Sequence, residues 1–85
     1  MYIHIGGEYA IPEKIIVGIF DFDEVTRSKS YTNEFLKKAE MENRVETVSY
    51  DLPRSIIVTL EKVYISPISA ATIKKRARQI LFTER

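Results

Sequence analysis

The chain has 85 residues, 45% hydrophobic and 29% charged, which is enough for one core and too few for two. Thirteen lysines and arginines stand against twelve aspartates and glutamates, a formal charge of +1 that excludes a histone-like polycation and an acidic disordered tail alike. There is no cysteine, so disulfide staples, zinc ribbons and thiol catalysis are excluded, and a reducing compartment, the cytoplasm, is the expected setting.

The first residues, Met1 to Ile5, lack the basic start, long apolar run and small-residue cleavage site of a secretory signal. Tyr2 to Ile5 reads as a strand, Gly6-Gly7 as a turn with positive φ available, and Tyr9 to Ile11 as a returning strand stopped by Pro12. Ile15 to Phe22 follows as a strand, with Ile15, Val17 and Ile19 on one face and Ile16, Phe20 and Phe22 on the other. Both faces are apolar and both call for cover. Its part from Ile15 through Gly18 to Phe20 is also the longest apolar stretch, far below the roughly 20 residues of a membrane-spanning helix.

Asp23 to Lys29 is polar and without periodicity, so a loop is expected. Ser30 offers a cap for a helix to about Asn43, in which Tyr31, Phe35, Leu36 and Ala39 recur at helical spacing. Arg44 to Tyr50 alternates weakly, as a strand with one solvated face does, and ends at the turn Asp51-Leu52-Pro53-Arg54. Ser55 to Leu60 and Val63 to Ser66 form a hairpin if Glu61-Lys62 is the turn. Leu60 then opposes Val63, Val58 opposes Ile65, and Ile56 shares their aliphatic face. The opposite face, with Ser55, Ile57, Thr59, Tyr64 and Ser66, is mixed, and a single copy is expected to leave it partly wet. Glu61-Lys62 lacks the Gly or Asn that two-residue turns favour, so a longer loop with a shifted register is the alternative.

Pro67 ends the hairpin, and Ser69 can cap a last helix from Ala70 to about Phe82 with Ile73, Ala77, Ile80 and Leu81 on one stripe. Measured from Ile73, Lys74 sits at about 100°, Arg78 at about 140° and Lys75 at about 200°, one basic flank, while Arg76 at about 300° leaves on the other side. The order β-β-β-α-β-β-β-α describes a single small α+β domain over residues 1–85, a mostly antiparallel sheet with two helices.

Catalytic groupings are scarce. The single histidine, His4, lies on an apolar strand with no evident partner and reads as structural. Asp21, Asp23 and Glu24 open like a calcium loop, but the further oxygen ligands, central glycine and closing glutamate do not follow. Gly6-Gly7 lacks the helix and lysine of a phosphate loop. No enzyme, cofactor or metal is expected. Charge asymmetry remains: residues 74–85 hold five cations and one carboxylate, and the rest eight cations and eleven carboxylates. A basic helix serves solvation, an acidic partner or nucleic-acid phosphate. DNA affinity grows with the number of phosphates neutralised, so a domain of this charge binds well only if copies repeat the patch. The apolar strand faces supply a motive for self-association, and cyclic symmetry would set identical cations around a rim.

Several strings resemble a known family over nearly the whole chain. They are Met1-Tyr2-Ile3-His4-Ile5-Gly6, Ile16-Val17-Gly18-Ile19-Phe20-Asp21-Phe22, Glu34-Phe35-Leu36-Lys37-Lys38, Pro53-Arg54-Ser55-Ile56-Ile57-Val58-Thr59, Tyr64-Ile65-Ser66-Pro67 and Thr72-Ile73-Lys74-Lys75-Arg76-Ala77. Together they are similar to the extracellular-matrix regulatory protein B family, one branch of the Rem proteins. The resemblance implies a cytoplasmic regulator of biofilm-matrix genes, a fold similar to the LytTR type of DNA-binding domain, and assembly into rings bearing repeated basic residues. It places a basic position of the related branch on Lys14 and the end of an arginine-rich turn on Arg54. This chain has Leu52-Pro53 where those relatives have adjacent arginines. The candidate DNA contacts are therefore Lys14, Arg54, Lys74, Lys75 and Arg78, and the partners expected are DNA and further copies of the chain. The competing expectation is a scaffold subunit that associates with related regulators, a protein partner in place of DNA.

Overall fold

A computed structural model describes residues 1–27 and 31–83, with the backbone alone at Thr32 and at 78–83. Strand β1 (Tyr2–Gly6) turns through Gly6 and Gly7, at φ 119° and 55°, into β2 (Tyr9–Pro12). These are left-handed conformations that suit glycine, and the His4 Nε2–H donates to the Gly7 carbonyl at 2.9 Å and pins the turn. His4 is exposed, a surface residue whose ring fastens the turn. A 3-10 turn over Glu13–Ile15 leads to β3 (Ile16–Asp21), which is two residues shorter than the sequence predicts.

The main sheet has the order β3-β5-β6-β4, where β4 is Val45–Thr47, β5 is Ser55–Thr59 and β6 is Val63–Ser66. Both pairs involving β5 are antiparallel, and β4 runs parallel to β6. The β5–β6 hairpin takes the longer loop: Val58 opposes Val63, Ile57 opposes Tyr64 and Ile56 opposes Ile65. Thr59 holds that loop, its Oγ1 donating to the Lys62 carbonyl at 2.6 Å and accepting from the Lys62 amide at 2.9 Å. The hydroxyl closes the longer loop by hydrogen bonding, with no residue needing the positive φ that Gly or Asn supplies in a tight turn. The register slips by two residues from the two-residue-turn expectation, so every side chain keeps its predicted face.

The β3 pattern fails at one place. Pairing jumps between Ile16, opposite Thr59, and Gly18, opposite Val58, so Val17 is the extra residue of a bulge and stands 65% exposed. Beyond the bulge the faces exchange: Ile15, Ile16 and Ile19 pack on one core cluster, Phe20 and Phe22 on the other.

The stretch expected as a polar loop after β3 instead contains α1 (Phe22–Arg27). Its cause is local capping, not periodicity. The Asp21 Oδ1 accepts the Glu24 amide at 3.1 Å, acids occupy the first turn and Arg27 the last. Among the described residues there is thus a third α-helix beyond the two read from periodicity. Helix α2 (Tyr31–Met41) buries Leu36 and Ala39 but leaves Tyr31 91% exposed, so the apolar stripe is shorter than its spacing suggests. Asn43 at φ 58° closes it in a left-handed cap, while the expected Ser30 cap lies outside the described residues. Helix α3 (Ala70–Thr83) starts as predicted, with the Ser69 Oγ accepting the Thr72 amide at 3.2 Å.

The sheet is covered on both sides. On one, the β1–β2 hairpin and α3 enclose Ile3, Ile5, Ile11, Val48, Ile57 and Ile73; on the other, α1 and α2 close over Ile56, Val58 and Val63. Ile57 is 0% exposed, which corrects the expectation of a wet face, and with it the motive for self-association drawn from that face. What stays open is narrower. Beside the free edge of β3, Val17, Phe20, Val58, Tyr31 and Phe35 line an apolar groove of about 290 Å³. No helix among the described residues is long and apolar enough to cross a membrane.

Candidate nucleic-acid interface

Helix α3 carries the clearest basic surface. Ile73 is buried at the centre of its inner stripe, and Lys74 and Lys75 are exposed about five to six residues past the cap, some 8–9 Å along the axis. Ile80, Leu81 and Arg78, predicted on the same helix, lie where only backbone is described. Arg76 points elsewhere, as its angle predicts, and its Nη1 donates to the His4 carbonyl at 2.6 Å.

Arg54 sits at the same end of the sheet as the start of α3. Its amide donates to the Ser66 carbonyl at 2.8 Å, its carbonyl accepts the Phe22 amide at 3.1 Å, and the neighbouring Ser55 hydroxyl donates to the Ile68 carbonyl at 2.7 Å. Its backbone is therefore fixed while its side chain is exposed. Arg54, Leu52, Pro53 and Ser69 share a cleft of about 270 Å³ with Phe22, Asp21 and Asp23. Two carboxylates beside one guanidinium lower the positive potential there. Sequence reasoning missed this neighbourhood, because the aspartates arrive from β3 and α1 across the sheet, more than thirty positions away.

Lys14 is exposed in the 3-10 turn at the opposite end of β3. The length of that strand, roughly 15–20 Å, separates it from Arg54, so the structure divides the predicted contacts into two groups. Lys62 lies near Lys14's end but is occupied. Its Nζ bonds Glu46 Oε1 at 2.9 Å, and the Tyr9 hydroxyl donates to Glu46 Oε2. The Tyr9 bond and then Lys62 hold the Glu46 carboxyl below the ordinary glutamate value, and the same carboxylate raises Lys62 and Tyr9. The other ion pair among the described residues joins Arg44 to Glu42 at 2.9 Å, with Arg44 also stacked 5.9 Å from the Phe35 ring centroid. Neither pair uses Lys14, Arg54, Lys74 or Lys75. Among the described residues no group of three or more His, Asp or Glu is placed to hold a metal.

The sequence matches the family described as "Extracellular matrix regulatory protein A-like" over residues 2–77. It is also 41% identical over 78 residues to "Extracellular matrix regulatory protein B" of Bacillus subtilis (strain 168), covering 92% of this chain and 91% of that one. The matched span includes Lys14, Arg54, Lys74 and Lys75 and stops before Arg78.

Proposed function

The chain belongs to the RemA-like family of extracellular matrix regulatory proteins, and from that premise we propose that it regulates transcription of matrix genes by binding DNA as an assembly of copies, without catalysing a reaction. The observation that carries this reading is the pair Lys74 and Lys75, without an ion-pair partner among the described residues, side by side on the solvent side of a helix whose other side packs into the core. Lysines so placed meet phosphate without losing a protein partner, and they carry no base-reading geometry of their own. Binding is then phosphate-dominated, with sequence preference supplied by DNA shape. One copy with four cations gives a salt slope of about −3.6, too shallow for strong binding at physiological salt. Repetition of the cations around an assembly steepens it.

Titration of labelled duplex across salt concentrations tests the proposal. A log K against log salt slope steeper than about −4 supports it, and a flat response or no binding at low salt overturns it.

A second reading, a scaffold subunit acting on a protein partner, is favoured by the Arg54 cleft. Leu52 is 82% exposed there, and Asp21 and Asp23 oppose phosphate approach. Arg54→Ala separates the two. If the guanidinium meets phosphate, the slope magnitude falls by about 0.9 per copy bound; if it serves the cleft, the slope is unchanged.

A further inference from the structure

Strand β1 carries a pairing irregularity: His4 opposes Ala10 and Gly6 opposes Tyr9, with the register shifting between them. At this bulge two successive carbonyls of β1 are taken by side chains from outside the hairpin. The Ser66 hydroxyl of β6 donates to Ile5 at 2.6 Å, and the Arg76 guanidinium of α3 donates to His4 at 2.6 Å. The bulge is thus a joint where the main sheet, the hairpin and the basic helix are fastened within two residues. Bulges free backbone groups from the ladder, and a planar guanidinium reaches such a carbonyl with a fixed approach that a flexible ammonium does not reproduce.

We propose that Arg76 is a positioning residue: its bond to the His4 carbonyl sets the rotation of α3 and thereby the direction in which Lys74 and Lys75 face a polyanion. This rests on the DNA-binding reading above. The helix geometry makes the division of labour specific. Arg76 lies about 60° from Ile73, at the margin of the buried stripe, while Lys74 lies about 100° to the other side and Lys75 about 160° away. Ile73, with buried Ala70 and with Ala77 packed beside it, seats the helix along one stripe; the Arg76 bond adds a polar fixed point on one flank, off that stripe. Arg76 is partly buried, Lys74 and Lys75 exposed, in keeping with one anchoring cation and two presented ones. Arg76, which helical spacing already sets on the other side from Lys74 and Lys75, is the member of the basic run that bonds back to the body of the fold.

The test compares Arg76→Lys, Arg76→Ala and Lys74→Ala by duplex titration over salt and by amide hydrogen exchange along α3, after circular dichroism establishes that each variant folds. Both Arg76 variants are expected to weaken binding about three- to tenfold with the salt slope unchanged, and to speed exchange at Ile73 and Ala77 by a similar factor. Lys74→Ala is expected to lower the slope magnitude by about 0.9 per copy bound and to leave α3 exchange as it was. Wild-type affinity in Arg76→Lys, a reduced slope in Arg76→Ala, or unchanged α3 exchange in both overturns the positioning role. Absence of wild-type DNA binding defeats the DNA reading and the presentation of lysines with it, and exchange alone then reports whether the anchor exists.

Discussion

The two sides of the main sheet are closed in different ways. On the α3 side, an aliphatic core is finished by polar fastenings that span the sequence: Ser66 to Ile5, Arg76 to His4, and the Tyr9–Glu46–Lys62 cluster, with Tyr64 edge-on to Tyr9 at 6.0 Å between centroids. On the α1–α2 side, closure is by packing. The principal inter-element tie there is Asn33 Nδ2 to the Val25 carbonyl at 2.7 Å, and the β3 edge leaves Val17, Tyr31 and part of Phe35 open. One side is fastened by bonds between distant segments, and the other leaves an apolar groove accessible. The side fastened in this way is also the one on which the proposed phosphate contacts, Lys74 and Lys75, are exposed.

Substitutions in the two cores should expose the difference. Ile57→Ala empties a fully enclosed site on the α3 side and should lower stability by about 2–5 kcal/mol in urea denaturation. Phe35→Ala, at a ring 39% exposed on the groove, should cost under about 1.5 kcal/mol in the same assay, since the site is already open to water. Equal losses would mean that the groove is as enclosed as the opposite core.

Ser66→Ala sharpens the contrast next. The hydroxyl is wholly buried, donates to the buried Ile5 carbonyl and accepts the part-buried Ile68 amide at 3.0 Å, so its removal strands both backbone groups at a cost of about 1–3 kcal/mol. Gly18→Ala probes the groove side. A Cβ there would lie 2.7 Å from Phe20 Cε2 and 2.8 Å from Cζ, so the ring must swing, with a loss of about 1–2 kcal/mol and a reshaped groove visible in aromatic NMR shifts.

The smallest effect expected is the pH response of the Tyr9–Glu46–Lys62 fastening. Glu46 has a lowered folded-state value, so its contribution is complete above the ordinary glutamate value of 4.5 and fades as pH falls below it. Lys62 and Tyr9 are raised, so theirs is complete below the ordinary values of 10.5 and 10.0 and fades as pH rises beyond them. Glu46→Gln should flatten the acid limb of a stability-against-pH curve near pH 4, and an unaltered acid limb would remove Glu46 from the account.

The sequence carried the parts of this architecture that depend on near neighbours. The Gly6-Gly7 turn, the Ser69 cap and the presentation of Lys74 and Lys75 all follow from spacing and local chemistry. Face assignment in the β5–β6 hairpin is the same for the two-residue turn and for the longer loop that the chain takes, because a two-residue slip preserves parity. Helix α1 was legible too, in the Asp21-to-Glu24 cap signature, but the absence of apolar periodicity hid it. What spacing does not carry is contact between distant segments. The Val17 bulge depends on pairing with β5, Arg54's aspartate neighbours on chain crossing, and Arg76's engagement on a carbonyl 72 positions away. These long-range arrangements decide which cations are free, so the candidate site was legible as a set of residues and not as a surface.

The central claim is that copies of the chain assemble and so multiply a small positive surface. Light scattering of the purified protein at micromolar concentration tests it most directly. The account predicts a mass several times the 9.9 kDa of one chain, rising further when duplex is added. A mass of one chain alone, unchanged by duplex, would contradict it.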